Sequence, residues 1–177
     1  ANGSSALSSG TLDLGGASRT FTLSPAAALT ISSAMSNGTM ALSGSGSLTL
    51  SNSAGLTLNV PIAGTGTGPL TLSSDNVVTI NAALNAGSGA ITILVNQDGA
   101  GSEGFIQIAA ITTTNTSSDP AAPAVRIVVN TAAGGNGTVQ LHDITTGPGG
   151  AVTVSTTGVM TASGGNTTGG QIAQASI

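Results

Sequence analysis

A short unit recurs along the chain: an apolar residue, a small polar residue and a second apolar residue, usually introduced by Gly, Ser or Thr. Its instances are Leu12/Leu14, Phe21/Leu23, Leu29/Ile31, Met40/Leu42, Leu48/Leu50, Leu56/Leu58, Leu70/Leu72, Val78/Ile80, Ile91/Ile93, Ile106/Ile108, Ile127/Val129, Val139/Leu141 and Val152/Val154. A spacing of two is the period of the β pleat, so both apolar members face one side and the residue between them, most often threonine, faces the other. Each unit predicts a short strand with an aliphatic inner side and a hydroxyl-bearing outer side.

Clusters of Gly, Ser, Asn and Pro separate the units, at 44–47, 64–69, 85–89 and 132–137. These residues favour turns, and glycine adopts positive φ without steric cost. Successive strands follow too closely for helical crossovers, which leaves a coil of stacked sheets or a β-sandwich of pilin-like type. The order of the strands favours the coil. Those starting at Leu12, Leu29, Leu48, Leu70 and Ile91 form one series, and those at Phe21, Met40, Leu56 and Val78 a second. Steps of roughly 16 to 22 residues in both series suit a solenoid repeat. The pattern therefore predicts an all-β parallel β-helix solenoid with about two short strands per coil, and the sandwich is the alternative.

A second likeness, between 106–113 and 139–146, extends the coils into the C-terminal half. Between them, 115–124 holds Asp119-Pro120 and Ala122-Pro123 without periodicity and is expected to leave the coil as a loop. One solenoid domain over 1–177 accounts for the whole pattern, either complete or as a segment of a longer solenoid. Asn59, Asn81, Asn96 and Asn130 each follow a strand, where asparagine serves either as a surface turn residue or as a stacked amide.

The stretch from Gly10 to Val95, with GTLDL, GSLTL, GLTLNVPIAGTG and PLTLSSDNVVTINAALNAGSGAITI, resembles the repeats of filamentous-haemagglutinin-like adhesins and related large bacterial surface proteins. The likeness loosens from Phe105 onward. The resemblance implies a right-handed parallel β-helix, export to the cell surface, and a role in adhesion or matrix building. Two features of that family are missing: no N-terminal secretion region is recognisable, and no Arg-Gly-Asp tripeptide occurs.

Composition narrows the function. Of 177 residues, 39% are hydrophobic, enough for a packed interior, while charged residues make up 5%. The net charge of -4 and the steady recurrence of aliphatic residues argue against disorder. Arg19 and Arg126 are the only basic side chains apart from His142, too few to neutralise a run of phosphates or coat an anionic bilayer. No nucleic-acid partner is expected, and no membrane insertion, since no apolar run approaches the roughly 20 residues of a helical span. With no cysteine there is neither a disulfide framework nor a thiolate metal site.

A β-helix is also a scaffold for sugar-cleaving enzymes, which work with paired carboxylates. The acids here are Asp13, Asp75, Asp98, Glu103, Asp119 and Asp143. The two aromatic residues, Phe21 and Phe105, read as core rather than as sugar platforms. His142 beside Asp143 is the sharpest catalytic-looking pair, yet neighbours on a strand point to opposite faces, and the repeat aligns them with inert Ala109 and Ala110. The segment 96–103 gathers oxygen ligands around glycines without the alternating acids of an EF-hand or the nonapeptides of a calcium β-roll, and reads as a solvated turn. No catalytic, cofactor-binding or metal site is expected, and the chain is not expected to be an enzyme.

Thr30, Thr49, Thr71 and Thr92 take equivalent central positions in one strand series, so stacked coils would align them in a ladder. Such a row would suit an ice-binding face, although Ala28, Ser47, Pro69 and Ala90 stand where a second threonine row would lie. Five Asn-x-Ser/Thr sequons, at Asn2, Asn37, Asn115, Asn136 and Asn166, are compatible with chance in so Ser/Thr-rich a chain.

Neither 1–10 nor 164–177 predicts a capping helix, and exposed strand edges at the ends of a stack invite further strands. The expectation is an extracellular or cell-surface structural and adhesive protein. Its coils associate with copies of themselves into fibres or continue in a larger surface protein, facing a host or matrix surface. A carbohydrate-active β-helix enzyme and an ice-binding solenoid are the alternatives.

Overall fold

The computed structural model describes the backbone of residues 4–7, 11–23, 28–31, 34–130, 137–156, 158–162 and 172–175, and side chains over 38–130, 137–156 and 158–161. The strands sort into three sheets; β1 to β5 alternate between the first and the third, and from β5 onward the described strands visit all three in turn. Sheet 1 holds β1 (Ser4–Leu7), β3 (Ala28–Ile31), β5 (Ser47–Ser51), β8 (Leu70–Ser73), β11 (Ile91–Val95), β14 (Val125–Val129), β17 (Val152–Ser155) and β19 (Ile172–Ala175). Sheet 2 holds β6 (Leu56–Leu58), β9 (Val78–Ile80), β12 (Phe105–Gln107), β15 (Val139–Leu141) and β18 (Met160–Ala162). Sheet 3 holds β2 (Thr11–Leu23), β4 (Ala34–Gly44), β7 (Ile62–Gly64), β10 (Leu84–Ala86), β13 (Ile111–Thr112) and β16 (Ile144–Thr145). Each strand pairs in parallel with its counterpart one coil away, as in β5 to β8, β9 to β12 and β7 to β10. No helix occurs among the described residues, and the chain is a parallel β-helix solenoid.

The coil carries three strands where the apolar pairs predict about two. From β7 onward the strands of sheet 3 are short, and β13 and β16 each bury a single aliphatic residue, Ile111 and Ile144, so they present no alternating pair to the eye. The second predicted series accordingly joins two faces: Phe21 pairs with Leu42 and Met40 with Ile62 in sheet 3, whereas Leu56 pairs with Val78 in sheet 2. The first series holds from Leu29 through Leu48 and Leu70 to Ile91, while Leu12 belongs to β2 and pairs with Met35.

Stacking converts the alternating pattern into aliphatic columns. Leu48, Leu70, Ile91, Val125 and Val152 form one buried column of sheet 1, and Leu50, Leu72, Ile93, Ile127 and Val154 another. Burying one such side chain contributes roughly 1.5–3 kcal/mol, so the columns supply the main stabilisation of a chain with so few charges. Sheet 2 contributes Leu56, Val78, Phe105 and Val139, and sheet 3 contributes Met40, Ile62, Leu84, Ile111 and Ile144. Phe105 is core, as expected of an aromatic residue that is not a sugar platform; Phe21 lies outside the described side chains.

One strand departs from its predicted register. Phe105 and Gln107 point inward, whereas Ile106 is half-buried and Ile108 is 55% exposed. Phe105 pairs with Val139, one residue away from the repeat alignment of Ile106 with Val139, while Ile111 pairs with Ile144 as that alignment has it. The slip is absorbed at the corner between sheets 2 and 3, where 108–110 spans three residues and 142–143 only two. A one-residue shift exchanges the two faces of a strand.

Coil length varies at the corners and not in the strands. Leu48, Leu70 and Ile91 succeed one another at intervals of 22 and 21 residues, near the expected twenty, whereas Val125 and Val152 follow after 34 and 27. The extra length of the 34-residue interval lies in 96–104, between sheets 1 and 2, and in 113–124, between sheets 3 and 1, whereas that of the 27-residue interval lies between β14 and β15. The expected excursion at 115–124 falls within the second. Its first residues stay on the stack: the Thr113 hydroxyl donates to the carbonyls of Gly87 and Gly89, and Asn115 Nδ2 donates to Ser88 O at 3.1 Å. From the coil beyond, Gly147 and Ala151 donate backbone N–H groups to the carbonyls of Asn115 and Ser117.

The glycines at the corner between sheets 3 and 1 serve close approach as well as turning. A Cβ on Gly68 would overlap the Gly46 carbonyl oxygen, and one on Gly89 would overlap that of Gly68. Successive corners therefore nest backbone on backbone at the spacing of the ladder.

Candidate functional site

The outer face of sheet 1 carries the most regular chemistry. Thr30, Thr49, Thr71 and Thr92 are consecutive register partners, followed by Arg126 and Thr153. Parallel pairing places such residues about 4.8 Å apart along the stack. The next outward row runs Ser51, Ser73, Leu94, Val128 and Ser155. Hydroxyls at the corners are spent on the fold, as with Thr113, Thr146 and Thr156, which donate to backbone carbonyls. Those of Thr71 and Thr92 make no hydrogen bond among the described residues and remain free for solvent or a ligand. Arg126 is the one charged side chain among the described residues of this face, and it is exposed.

The corner between sheets 1 and 2 gathers acids. Asp75 lies in the turn 74–77, and Asp98 and Glu103 lie in the longer loop 96–104 of the next coil, which is attached to that turn through Gln97 N–H to Ser74 O at 3.1 Å. Asp119 and Asp143 stand at the other two corners, and the side chain of Asp13 lies outside the described residues. A shallow polar groove of about 360 Å³ opens beside Asp75, lined also by Ser51, Asn52, Ser53, Ser73 and Ser74. Its groups brace the turns: Ser74 Oγ donates to Asn52 O at 2.7 Å and accepts Asn76 N–H at 3.0 Å, while Asn52 Oδ1 accepts Ala54 N–H at 3.0 Å.

The four strand-ending asparagines divide. Asn59 and Asn81 are exposed and stack at the corner between sheets 2 and 3, Asn81 Nδ2 donating to Asn59 Oδ1 at 2.9 Å. Asn130 is exposed as well. Asn96 is fully buried in the left-handed region at φ 54°, and neither its Oδ1 nor its Nδ2 has a hydrogen-bond partner.

His142 and Asp143 occupy the two-residue corner after β15 and so escape the strand alternation expected to separate them. His142 Nδ1 lies 3.6 Å from Asp143 Oδ2, and both side chains are about one-third exposed. The group that organises this corner is Gln107, which the strand pattern places outward. Its Nε2 donates to Asp143 O at 2.8 Å and to Ala109 O at 3.0 Å, and its Oε1 accepts His142 N–H at 3.1 Å. Gln107 thus stands in an aliphatic column with Leu58, Ile80 and Leu141 and satisfies main-chain groups that the shortened corner leaves over. The apolar Ile106/Ile108 pair around it masks this role in the sequence.

No group of three or more His, Cys, Asp or Glu side chains assembles with metal-binding geometry among the described residues. No helix of the described residues is long and apolar enough to cross a membrane. No protein-family model matches the chain, and neither a curated protein nor a solved structure matches it.

Proposed function

We propose that this chain is an extracellular structural and adhesive protein, a stiff section of a surface fibre or filament. The observation that carries the reading is the axial ladder. Sheet 1 runs as eight parallel strands from β1 to β19, and each of these two strands is paired on one side among the described residues. The open side of such a strand is a row of N–H and C=O groups able to accept another strand, either a further coil of the same protein or a coil of a second copy. The low charge and continuous aliphatic columns favour a rod that tolerates changing ionic strength outside the cell. The outer face of sheet 1, rich in threonine and with Arg126 as its one described charge, offers a broad lateral surface for host or matrix contact.

Electron microscopy and sedimentation of the purified chain test this reading. Eight strands span about 35 Å along the axis at the usual strand spacing. Rods that lengthen in multiples of that unit with concentration, or binding to cells and matrix proteins by a discrete particle, are the expected results. A single 35 Å species that neither lengthens nor binds such surfaces overturns it.

The in-register Thr49, Thr71 and Thr92 row supports a second reading, an ice-binding face. Thermal hysteresis that disappears in Thr71→Leu would favour it over the adhesive one.

A further inference from the structure

Residues 96–104 join sheet 1 to sheet 2 where the two preceding coils use the four-residue turns 52–55 and 74–77. The loop begins with Asn96, wholly buried and with both amide atoms unpartnered. It ends through Glu103, whose Oε2 is likewise shut off from solvent without a hydrogen-bond partner. The Glu103 carboxylate folds back across the loop against Gly101, where a Cβ would meet Oε1 at 2.6 Å. Between them Asp98 uses Oδ1 to accept Ala100 N–H at 3.0 Å. Asp75 adds a further negative charge at the same corner, one coil away.

Among the described side chains nothing cationic answers these groups. Arg126 stands on the outer face of sheet 1, and His142, 3.6 Å from Asp143, sits at a different corner. A carboxylate oxygen withdrawn from water is stable only when a donor or a counter-charge meets it, and a buried amide needs partners of its own.

We propose that the loop 96–104 is a calcium site. Glu103 supplies the principal carboxylate, Asn96 Oδ1 a neutral oxygen and Asp98 the second charge, with loop carbonyls and water completing the shell. An all-oxygen set excludes metals that require thiolate or imidazole. Calcium accepts irregular, higher coordination from a flexible loop, whereas magnesium demands a near-ideal octahedron. The site is independent of the adhesive reading and would stiffen the corner where the coil first expands.

The test is calorimetric titration of the chelator-stripped chain with calcium chloride, together with its thermal melting at each concentration. One ion per chain should bind, with a melting temperature that rises with calcium and rises less with equal magnesium. Glu103→Gln should weaken binding at least tenfold. Asn96→Gly, which keeps the left-handed backbone, and Asp98→Asn should weaken it in the same direction and cover the case in which the first variant fails to fold. Asp119→Asn, in the loop 113–124, should bind as the parent does. Absence of both heat and melting shift up to about 10 mM calcium, well above the weakest extracellular sites, overturns the proposal. So does binding that survives unchanged in Glu103→Gln or, if that variant is unfolded, in both of the others.

Discussion

Replacing Gln107 by leucine puts the inward register of β12 at risk in a single measurement. The position lies in a column with Leu58, Ile80 and Leu141, so a purely hydrophobic account of the interior predicts stabilisation. The hydrogen bonds predict the opposite. Leucine leaves His142 N–H and the Ala109 carbonyl without a partner, while the Asp143 carbonyl keeps the Ile111 N–H at 2.9 Å. A stranded polar group costs about 1–3 kcal/mol, and because this corner is partly exposed the low end applies to each of the two. Against roughly 2 kcal/mol of loss, the added apolar surface, worth about one methylene, returns about 0.8 kcal/mol. Net destabilisation should be about 1 kcal/mol. Ile108→Ser should change stability by less than about 0.5 kcal/mol, since that side chain is 55% exposed. Guanidinium unfolding followed by far-UV circular dichroism reads both variants. Amide exchange at His142 gives the local value where a stacked array does not unfold in one step. A neutral or stabilising Gln107→Leu with unchanged His142 protection, or a costly Ile108→Ser, would refute the register argument.

Three further outcomes follow from the packing. Gly68→Ala should destabilise by about 1–3 kcal/mol or more, because its Cβ meets the fixed carbonyl of Gly46 and not a yielding side chain; wild-type melting in that variant would mean that the coils separate more easily than their ladder implies. Thr113→Val should lose about 1–3 kcal/mol, since its hydroxyl donates to Gly87 O and Gly89 O and accepts Asn115 N–H, while Thr71→Val, whose hydroxyl makes no bond among the described residues, should stay within about 0.5 kcal/mol. Equal effects in a melting experiment would contradict the division between corner and face hydroxyls. Raising sodium chloride from about 0.05 to about 1 M should move the unfolding free energy by less than about 1 kcal/mol, because the one contact of ionisable side chains among the described residues, His142 with Asp143, is long and partly exposed; a steep salt dependence would show that charge matters to this fold.

The sequence by itself determined what depends on short-range alternation. Leu48/Leu50, Leu70/Leu72 and Ile91/Ile93 announce strands, inward faces and the threonine row, because a pleat of period two imposes the same spacing wherever a strand has one buried side. Tertiary structure decided what depends on comparing one coil with the next. The sheet 3 strands β13 and β16 are masked along the chain because Ile111 and Ile144 stand alone and become strand residues only when stacked on Leu84 and on each other. The inward placement of Gln107 was hidden because Ile106 and Ile108 present the same local pattern one residue away. Only pairing with Val78 and Val139 chooses between them. The placement of Asp75, Asp98 and Glu103 in connections between the same two sheets and the burial of Asn96 without a partner arise the same way. Stacking distance, not spacing along the chain, sets which side chains of a solenoid become neighbours.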